Sequence, residues 1–302
     1  MIKNSATFCY TVPVTILPQH IPKRVNNPHI MKLKEIRDFQ GTIYGAYRKN
    51  MRIFPWRRTH DPYQILISEV MLQQTQAGER TVRKYEEFLK AFPTIKALAQ
   101  SSFEKVFRIW QGLGYNRRAK ALRDAARIIV TERKGKISKN EDELVKLPGI
   151  GPYTAAAVCA FAYQKPVVCL ETNIRTVYLL FFFSRRRTPV SDKEIIPLIE
   201  ETLDKKNVRE WYYALMDYGA MLKKRHGNLN RKSRHYTLQS RFEGSDRQVR
   251  GKILRELSEG HLTSYGISRK VPFDSERIQK QVATLLTEGL IEKTGRHFSL
   301  AS

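Results

Sequence analysis

One carboxylate in this sequence is surrounded by apolar residues at helical spacing. Asp61 followed by Pro62 is typical of a helix start, because Asp can cap the first amides and Pro fits the first helical position. Within the helix predicted to follow, Glu69 has three apolar residues three or four positions away: Ile65, Leu66 and Leu72. Burial disfavours the charged form of a carboxyl group and raises its pKa, which suits a general acid at neutral pH. The alternative is a surface glutamate or a structural ion pair.

A glycine-containing turn lies further along the chain, at Leu147–Gly151, and Pro152 follows it at the predicted start of a helix. A helix is expected to end near Lys146, and Gly149 and Gly151 permit backbone angles that other residues resist. A tight turn with amide groups at a helix N-terminus can bind phosphate. An ordinary connection between two helices is the alternative interpretation.

The elements that carry these residues are predicted to be helices. From Met31 to about residue 225 apolar residues recur at three- and four-residue spacing, with glycine and proline between the segments. The clearest segments are 82–91, 103–110, 117–132 and 193–204. This pattern indicates an all-α domain over 31–225, and residues 1–30 are expected to be a poorly ordered extension.

Two further segments follow this helical region. Residues 223–246 are rich in Lys, Arg and His and lack periodicity, so they are expected to form a basic loop, with the linker proper at 226–246. Residues 247–302 are predicted to form two helices, at 247–258 and 274–288, and then a hairpin that turns at Thr294-Gly295. This order resembles a winged helix and predicts a small α+β domain.

The composition favours a polyanionic partner. Lys and Arg number 54 against 29 acidic residues, a formal net charge of +25. The three cysteines, Cys9, Cys159 and Cys169, are too few for a disulfide framework and lack metal-ligand spacing, so a reducing compartment is expected. No apolar run approaches the length of a membrane span. Charge alone leaves ribosomal, membrane-surface and nucleic-acid roles open.

Several blocks in order resemble one family. Leu147–Ala155 looks like the hairpin of the helix-hairpin-helix (HhH-GPD) DNA glycosylases. Four more blocks resemble the A/G-specific adenine glycosylase branch: Phe54-Pro55-Trp56-Arg57 with Asp61-Pro62-Tyr63, Ser68–Gln76, Gly112-Leu113-Gly114-Tyr115 and Met216–Met221. Together they cover roughly residues 40–225. The resemblance implies a two-lobed all-α glycosylase fold that carries the small winged-helix-like domain at its C-terminus.

The resemblance also implies roles for two carboxylates. Glu69 would protonate the departing purine, because an anionic base leaves poorly, and general acids typically contribute ~10²–10⁴-fold in rate. Glu171 would stabilise the positive charge that develops on the sugar, or direct water or a transient covalent bond. The family holds Asp at this place, so the longer Glu171 must present its carboxylate differently. Glu171 could alternatively cap the apolar helix predicted after it.

Tyr153 stands where family members that also nick the backbone carry a lysine for a Schiff base. A monofunctional enzyme is therefore expected, with Tyr153 in the catalytic site. Tyrosine at this place resembles the thymine/uracil mismatch branch, whereas the adenine branch usually has a small residue. Ala77-Gly78 also favours the mismatch branch slightly.

DNA contacts are implied at three places. Gln74 and Tyr115 match family positions that wedge into the duplex when a base is flipped, although Tyr115 could instead pack at a helix end. Backbone contacts are expected from two sets of residues: Leu147, Gly149, Gly151 and Thr154 in the hairpin, and Lys223, Lys224 and Arg225 in the basic stretch.

Two family features are missing. Leu222–His226 occupies the place where the four cysteines of an iron–sulfur cluster begin, and no cysteine follows, so no cofactor or metal is expected. The basic stretch 223–241 would replace the cluster loop. Residues 247–302 are too short for the nudix-like domain that senses 8-oxoguanine in the adenine branch.

We therefore predict a monomeric, monofunctional glycosylase that acts on mismatched or damaged duplex DNA and removes adenine opposite guanine or 8-oxoguanine to leave an abasic site. It would be cytoplasmic, and nucleoid-associated in a prokaryote, with no membrane partner. A thymine/uracil mismatch glycosylase and a non-catalytic DNA-binding protein are the alternatives.

Overall fold

The structure is a computed structural model that describes residues 31–239 and 241–301. Over these residues the chain is mostly helical, with a small antiparallel sheet near its C-terminus, which confirms the predicted fold class. The helices are α1 (Leu33–Asn50), α2 (Pro62–Leu72), α3 (Glu79–Ala91), α4 (Ile95–Ala99), α5 (Phe103–Trp110), α6 (Arg117–Arg133), α7 (Glu141–Leu144), α8 (Pro152–Tyr163), α9 (Thr172–Phe183), α10 (Asp192–Thr202), α11 (Val208–His226), α12 (Asp246–Ser258), α13 (Ser264–Lys270) and α14 (Ser275–Thr287). The extension predicted for residues 1–30 lies outside the described residues.

The periodic segments of the sequence correspond to helices. Segments 82–91, 103–110, 117–132 and 193–204 fall in α3, α5, α6 and α10, with boundaries that differ by three residues or fewer. Local side chains fix several starts: the hydroxyl of Ser102 accepts from the amide of Lys105 at 3.3 Å and begins α5. The turn before the hairpin begins earlier than predicted, because α7 ends at Leu144 rather than near Lys146.

The chain forms two compact units. One comprises residues 31–52 together with Glu171–Asp204 and Glu210–His235. Its centre is aromatic: the ring of Phe39 on α1 lies 5.0 Å from the ring of Phe181 on α9 and 5.8 Å from that of Trp211 on α11. These three side chains are buried, so burial of large rings holds α1 against α9 and α11.

The other unit comprises Ile53–Leu170, Lys205–Arg209 and the chain from Tyr236 onward. Within it α2 packs along α8, and α6 packs against α4 and α5. Nearly every residue of α2 between Tyr63 and Met71 is buried, as is most of α8. The pairing of α2 with α8 brings the segment that carries Glu69 against the helix that follows the glycine turn.

The C-terminal residues form the mixed structure expected from their pattern. After α12 come strand β1 (Leu262–Thr263), α13, α14 and the hairpin of β2 (Ile291–Thr294) and β3 (His297–Leu300). The strands are antiparallel in the order β1-β3-β2, and the hairpin turns at Thr294-Gly295 with Gly295 at φ 59°. We refer to Asp246–Leu300 as the C-terminal segment.

The basic stretch is partly helical, which corrects the prediction of a loop from residue 223. Lys223, Lys224, Arg225 and His226 form the last turn of α11. Cations are stabilised at a helix C-terminus by its dipole, so this charge run extends the helix until Gly227, whose φ of 74° ends it. Beyond Gly227 the chain is irregular apart from a short 3-10 turn at Leu229–Lys232, and α12 already begins at Asp246.

Gly219 permits a close approach of α11 to the start of α9. A Cβ atom built at Gly219 would lie 2.1 Å from the carbonyl oxygen of Asn173, which is backbone and cannot move aside. We expect Gly219→Ala to lower the free energy of unfolding by about 1–3 kcal/mol through overpacking. Urea denaturation measures this change. Gly45 on α1 has open space around it, so Gly45→Ala is the matched control and should raise stability by about 0.5–1 kcal/mol. Equal effects of the two changes would contradict the steric account.

Candidate active site

Glu69 lies at the buried centre of α2. The helix begins where predicted: the Asp61 carboxylate accepts from the amide of Tyr63 at 2.9 Å, and Pro62 is the first residue. Only 6% of Glu69 is exposed, so the burial inferred from spacing is present. The Tyr153 hydroxyl, which comes from the first turn of α8, donates to Glu69 Oε2 at 3.2 Å. A buried carboxyl group with a phenol beside it is a suitable place to hold and deliver a proton.

The residues before α2 are fixed by a buried arginine that sequence reasoning missed. Arg209 is 5% exposed and donates to the carbonyl oxygens of Arg57 and Phe161 at 3.0 Å each, and to that of Thr59. It also contacts His60 Nδ1 at 2.7 Å. This guanidinium therefore ties the loop that leads into α2 to the end of α8, and so fixes the position of the helix that carries Glu69.

The glycine turn between α7 and α8 has the form of the predicted hairpin. Gly149 has φ 73°, and a Cβ there would lie 2.7 Å from Cβ of Ala121, so both its backbone angle and its surroundings require glycine. Gly151 is different: its φ is −84°, and it is the residue before α8 with open space beside it. Gly149 therefore uses the backbone freedom that glycine permits, whereas Gly151 does not.

Two predicted DNA contacts in the hairpin have buried side chains. Leu147 is 3% exposed and anchors the turn, and Thr154 is 2% exposed. Gln73 at the end of α2 donates to Thr154 Oγ1 at 3.0 Å and to the Gly149 carbonyl at 3.1 Å. Leu147 and Thr154 thus hold the hairpin in shape, and a contact of either residue with DNA would have to come from its backbone.

The two predicted wedge residues share an uncommon backbone conformation. Gln74 has φ 53° and Tyr115 has φ 48°, a region that residues other than glycine seldom adopt. Tyr115 follows Gly112 and Gly114, which also have positive φ. Such strain persists only where the surroundings hold it, and it is common at functional sites.

The group that holds both turns is Arg118, which was not predicted from the sequence. Its guanidinium donates to seven oxygen atoms, on Val70, Met71, Gln73, Thr75, Leu113, Gly114 and Tyr115. The shortest of these bonds reaches the Gln73 carbonyl at 2.5 Å and the longest the Tyr115 carbonyl at 3.3 Å. Burial lowers the pKa of Arg118 to about 10, which leaves it charged at neutral pH. The signal in the sequence was a cation among the apolar residues that form most of the buried face of α6, a face that also carries Arg123.

We expect Arg118→Lys to lower the free energy of unfolding by about 2 kcal/mol or more, because one ammonium cannot reach both turns and buried carbonyl groups lose their donors. Chemical denaturation measures the loss. The neighbouring Arg117 has a side chain that is 73% exposed, so Arg117→Lys is the control and should change stability by less than about 0.5 kcal/mol. A similar small effect for both variants would show that Arg118 does not hold the two turns.

Glu171 caps α9, which is the alternative that its sequence position left open. Its Oε1 accepts from the amides of Asn173 at 2.7 Å and Ile174 at 2.8 Å, and its Oε2 accepts from the side-chain amide of Asn173 at 3.2 Å. Burial raises the pKa of Glu171 above its ordinary value, while these backbone hydrogen bonds and the charges of Arg175 and Arg52 oppose that rise. The predicted role of Glu171 opposite the sugar remains a prediction.

A buried asparagine that no sequence pattern indicated supports the same helix. Asn230, in the 3-10 turn after α11, is 4% exposed. Its side-chain amide donates to the Thr172 carbonyl at 3.1 Å and to Thr176 Oγ1 at 2.8 Å. The beginning of α9 is therefore fixed by two side chains: Glu171, which precedes the helix, and Asn230, from the 3-10 turn after α11.

The remaining predicted residues are also placed. Lys223, Lys224 and Arg225 are exposed at the end of α11, where they are available to an anion. Cys159 and Cys169 are buried, and burial raises the pKa of Cys159 to about 11, as expected for residues that pack in the core. Cys9 lies outside the described residues.

In the part of the chain that the structure describes, no three His, Cys, Asp or Glu residues are grouped so as to hold a metal, and no helix is long and apolar enough to cross a membrane.

Comparison with known proteins identifies the family of the chain. Residues 67–202 match the model of the HhH-GPD superfamily base excision DNA repair protein. The chain is 34% identical over 279 residues to the adenine DNA glycosylase of Mycolicibacterium smegmatis, a match that covers 86% of this chain and 94% of that protein. It is 30% identical over 192 residues to the thymine/uracil-DNA glycosylase of Methanothermobacter thermautotrophicus, covering 63% and 86% of the two chains. The solved structure of a thermostable thymine-DNA glycosylase superposes with a TM-score of 0.55 at 26% identity, over 67% of this chain and 97% of that one.

The chain therefore belongs to the HhH-GPD superfamily of base excision DNA repair proteins. Within that superfamily it is a DNA glycosylase, and it is similar to the adenine DNA glycosylases of Mycolicibacterium smegmatis and Mycobacterium tuberculosis over 94% and 96% of their lengths.

Proposed function

We propose that this glycosylase removes mispaired adenine, opposite guanine or 8-oxoguanine, from duplex DNA. The observation that carries the proposal is the buried Glu69 hydrogen-bonded to Tyr153, in a chain that matches an adenine DNA glycosylase over 94% of that protein. Glu69 protonates a ring nitrogen of the adenine, so the base departs as a neutral molecule when the bond to the sugar breaks. Water then adds to the sugar carbon and releases one proton, which balances the proton that Glu69 gave to the base, and an abasic site remains.

The enzyme is proposed to be monofunctional. A backbone nick in this family requires an amine that forms a Schiff base with the sugar, and the place of that amine is taken by Tyr153. The phenol of Tyr153 instead donates a hydrogen bond to Glu69, which orients the carboxyl group. Borohydride should therefore trap no covalent complex with DNA.

A second candidate substrate is thymine or uracil opposite guanine. Two observations favour it: Tyr153 resembles the residue of that branch, and a thymine/uracil-DNA glycosylase is 30% identical over 86% of its length. A pyrimidine makes less use of a ring-nitrogen acid, so its removal should depend less on Glu69. The adenine assignment rests on the longer match.

DNA binding is proposed to use the hairpin amides, the wedge residues Gln74 and Tyr115, and the exposed cations at the end of α11. These cations stand where relatives begin their cluster cysteines, and we propose that the enzyme works as a monomer without an iron–sulfur cluster, since no cysteine follows Cys169. Phosphates would then be neutralised by Lys223, Lys224 and Arg225 directly.

Single-turnover excision tests the substrate. Labelled duplexes with A opposite 8-oxoguanine, A:G, T:G and U:G are incubated with the enzyme and then cleaved with alkali. We expect breaks only at adenine, and a loss of about 10²-fold or more for Glu69→Gln. Glu86→Gln makes the same chemical change on the exposed side of α3 and should leave the rate unchanged. Glu171→Gln in the same assay tests the predicted role of that carboxylate.

The other outcomes are equally informative. Breaks at thymine or uracil would replace the adenine assignment with the mismatch branch. Tight binding without breaks on any of the four duplexes would favour a DNA-binding protein that does not catalyse.

The salt dependence of binding tests the cations. We expect the double variant Lys223→Gln, Lys224→Gln to reduce the slope of log affinity against log salt by about 0.9 for each phosphate that the variant no longer neutralises. Arg48 and Lys49 form the matched control, because they are exposed cations in the last turn of α1. If both double variants leave the slope unchanged, the end of α11 does not contact DNA.

A further inference from the structure

The C-terminal segment packs against the helices that flank Tyr115. The Ser258 carbonyl at the end of α12 accepts from Arg108 on α5 at 2.5 Å, and the Ser258 hydroxyl accepts from Gln111 at 2.9 Å. At the end of α14, Glu288 lies 3.7 Å from Arg117 on α6. These contacts hold the end of α12 and the end of α14 against α5 and α6, the helices on either side of the turn that carries Tyr115.

Arg247, in the first turn of α12, contacts Tyr115 in two ways. Its Nη1 donates to the Tyr115 hydroxyl at 2.7 Å, and its guanidinium carbon lies over the Tyr115 ring at 5.4 Å from the centroid. The guanidinium carbon of Arg118 also lies over this ring, at 5.5 Å. Both the hydroxyl and the π system of one partly exposed tyrosine are therefore engaged by cations.

The backbone and the hydroxyl of Tyr115 are held by different parts of the chain. Arg118 bonds the carbonyl groups of Leu113, Gly114 and Tyr115, which fixes the strained backbone of the turn. The hydroxyl is bonded by Arg247, a residue of the C-terminal segment.

We propose that the C-terminal segment holds Tyr115 in position for insertion into the duplex, with Arg247 as the positioning residue. The proposal rests on the wedge role assigned to Tyr115 above. A side chain ordered before binding does not have to lose that rotational freedom when it enters DNA, and each such side chain otherwise costs about 0.5–1.5 kcal/mol. The segment thereby takes part in base flipping without contributing a group to the chemistry.

A base-flipping assay tests this proposal separately from excision. The probe is 2-aminopurine, a fluorescent adenine analogue, placed opposite 8-oxoguanine in a duplex, and stopped-flow fluorescence follows its unstacking. We expect Arg247→Gln to slow unstacking by about 3- to 10-fold, which corresponds to the ordering of one side chain. Arg255→Gln is the control, because Arg255 is exposed on the same helix and the charge change is identical. The affinity for undamaged duplex should change equally in the two variants.

A double-mutant cycle with Tyr115→Phe separates a contact with Tyr115 from a general effect on the segment. Tyr115→Phe removes the hydroxyl that accepts from Arg247, so Arg247→Gln should slow unstacking less in that background than in the wild type. Arg247→Lys keeps a donor and a charge and should restore part of the rate. Thermal unfolding of each variant reports any loss of folded protein.

Several results would overturn the inference. Equal rates for Arg247→Gln and Arg255→Gln, or additive effects with Tyr115→Phe, would remove the positioning role. Faster unstacking in Arg247→Gln than in the wild type would show that the contact restrains Tyr115 instead of positioning it. A wild-type protein that unstacks no base would leave Tyr115 without a flipping step to support. In contrast, normal unstacking without adenine release would refute the proposed substrate and leave the role of Arg247 intact.

Discussion

The buried guanidinium of Arg118 is the interaction on which the geometry around the predicted wedge residues depends. A charge inside a protein is tolerated only when its hydrogen bonds are satisfied, and Arg118 is surrounded by backbone carbonyl groups from the end of α2 and from the turn before α6. Those two segments are far apart in sequence. Since a planar fork donates in several directions at once, a single side chain fixes both turns, and the strained backbones of Gln74 and Tyr115 follow from that anchor.

Polar side chains that bond to backbone groups also fix α2, the helix that carries the candidate acid Glu69. Arg209 joins the loop before α2 to the end of α8, and Gln73 joins the end of α2 to the hairpin. The helix that carries Glu69 is thus secured at both ends by polar groups bonded to backbone, while its middle is held by apolar packing against α8. A carboxyl group fixed in this way keeps its distance to Tyr153, and a rigid setting of this kind is what proton transfer to a substrate requires.

The sequence predicted the elements better than the contacts between them. Apolar spacing identified α3, α5, α6 and α10, and the residues near Glu69 indicated its burial, because both signals are local. Arg118, Arg209, Arg247 and Asn230 were missed, because each has a partner that lies between 43 and 152 positions away in the sequence. The end of α11 was assigned to a loop because a run of cations obscures periodicity, although the helix dipole favours those charges there.

The capping of α9 by Glu171 limits which substitutions evolution can accept at this position. One of its oxygens accepts from both amides at the start of α9, so the residue serves the helix whether or not it also serves a reaction. Natural selection for a stable fold therefore acts on this position as well as any selection for catalysis, so a descendant that kept DNA binding but lost catalysis would still be selected to keep an acceptor here. A glutamate found at this position in a descendant is therefore only weak evidence that the descendant is still an enzyme.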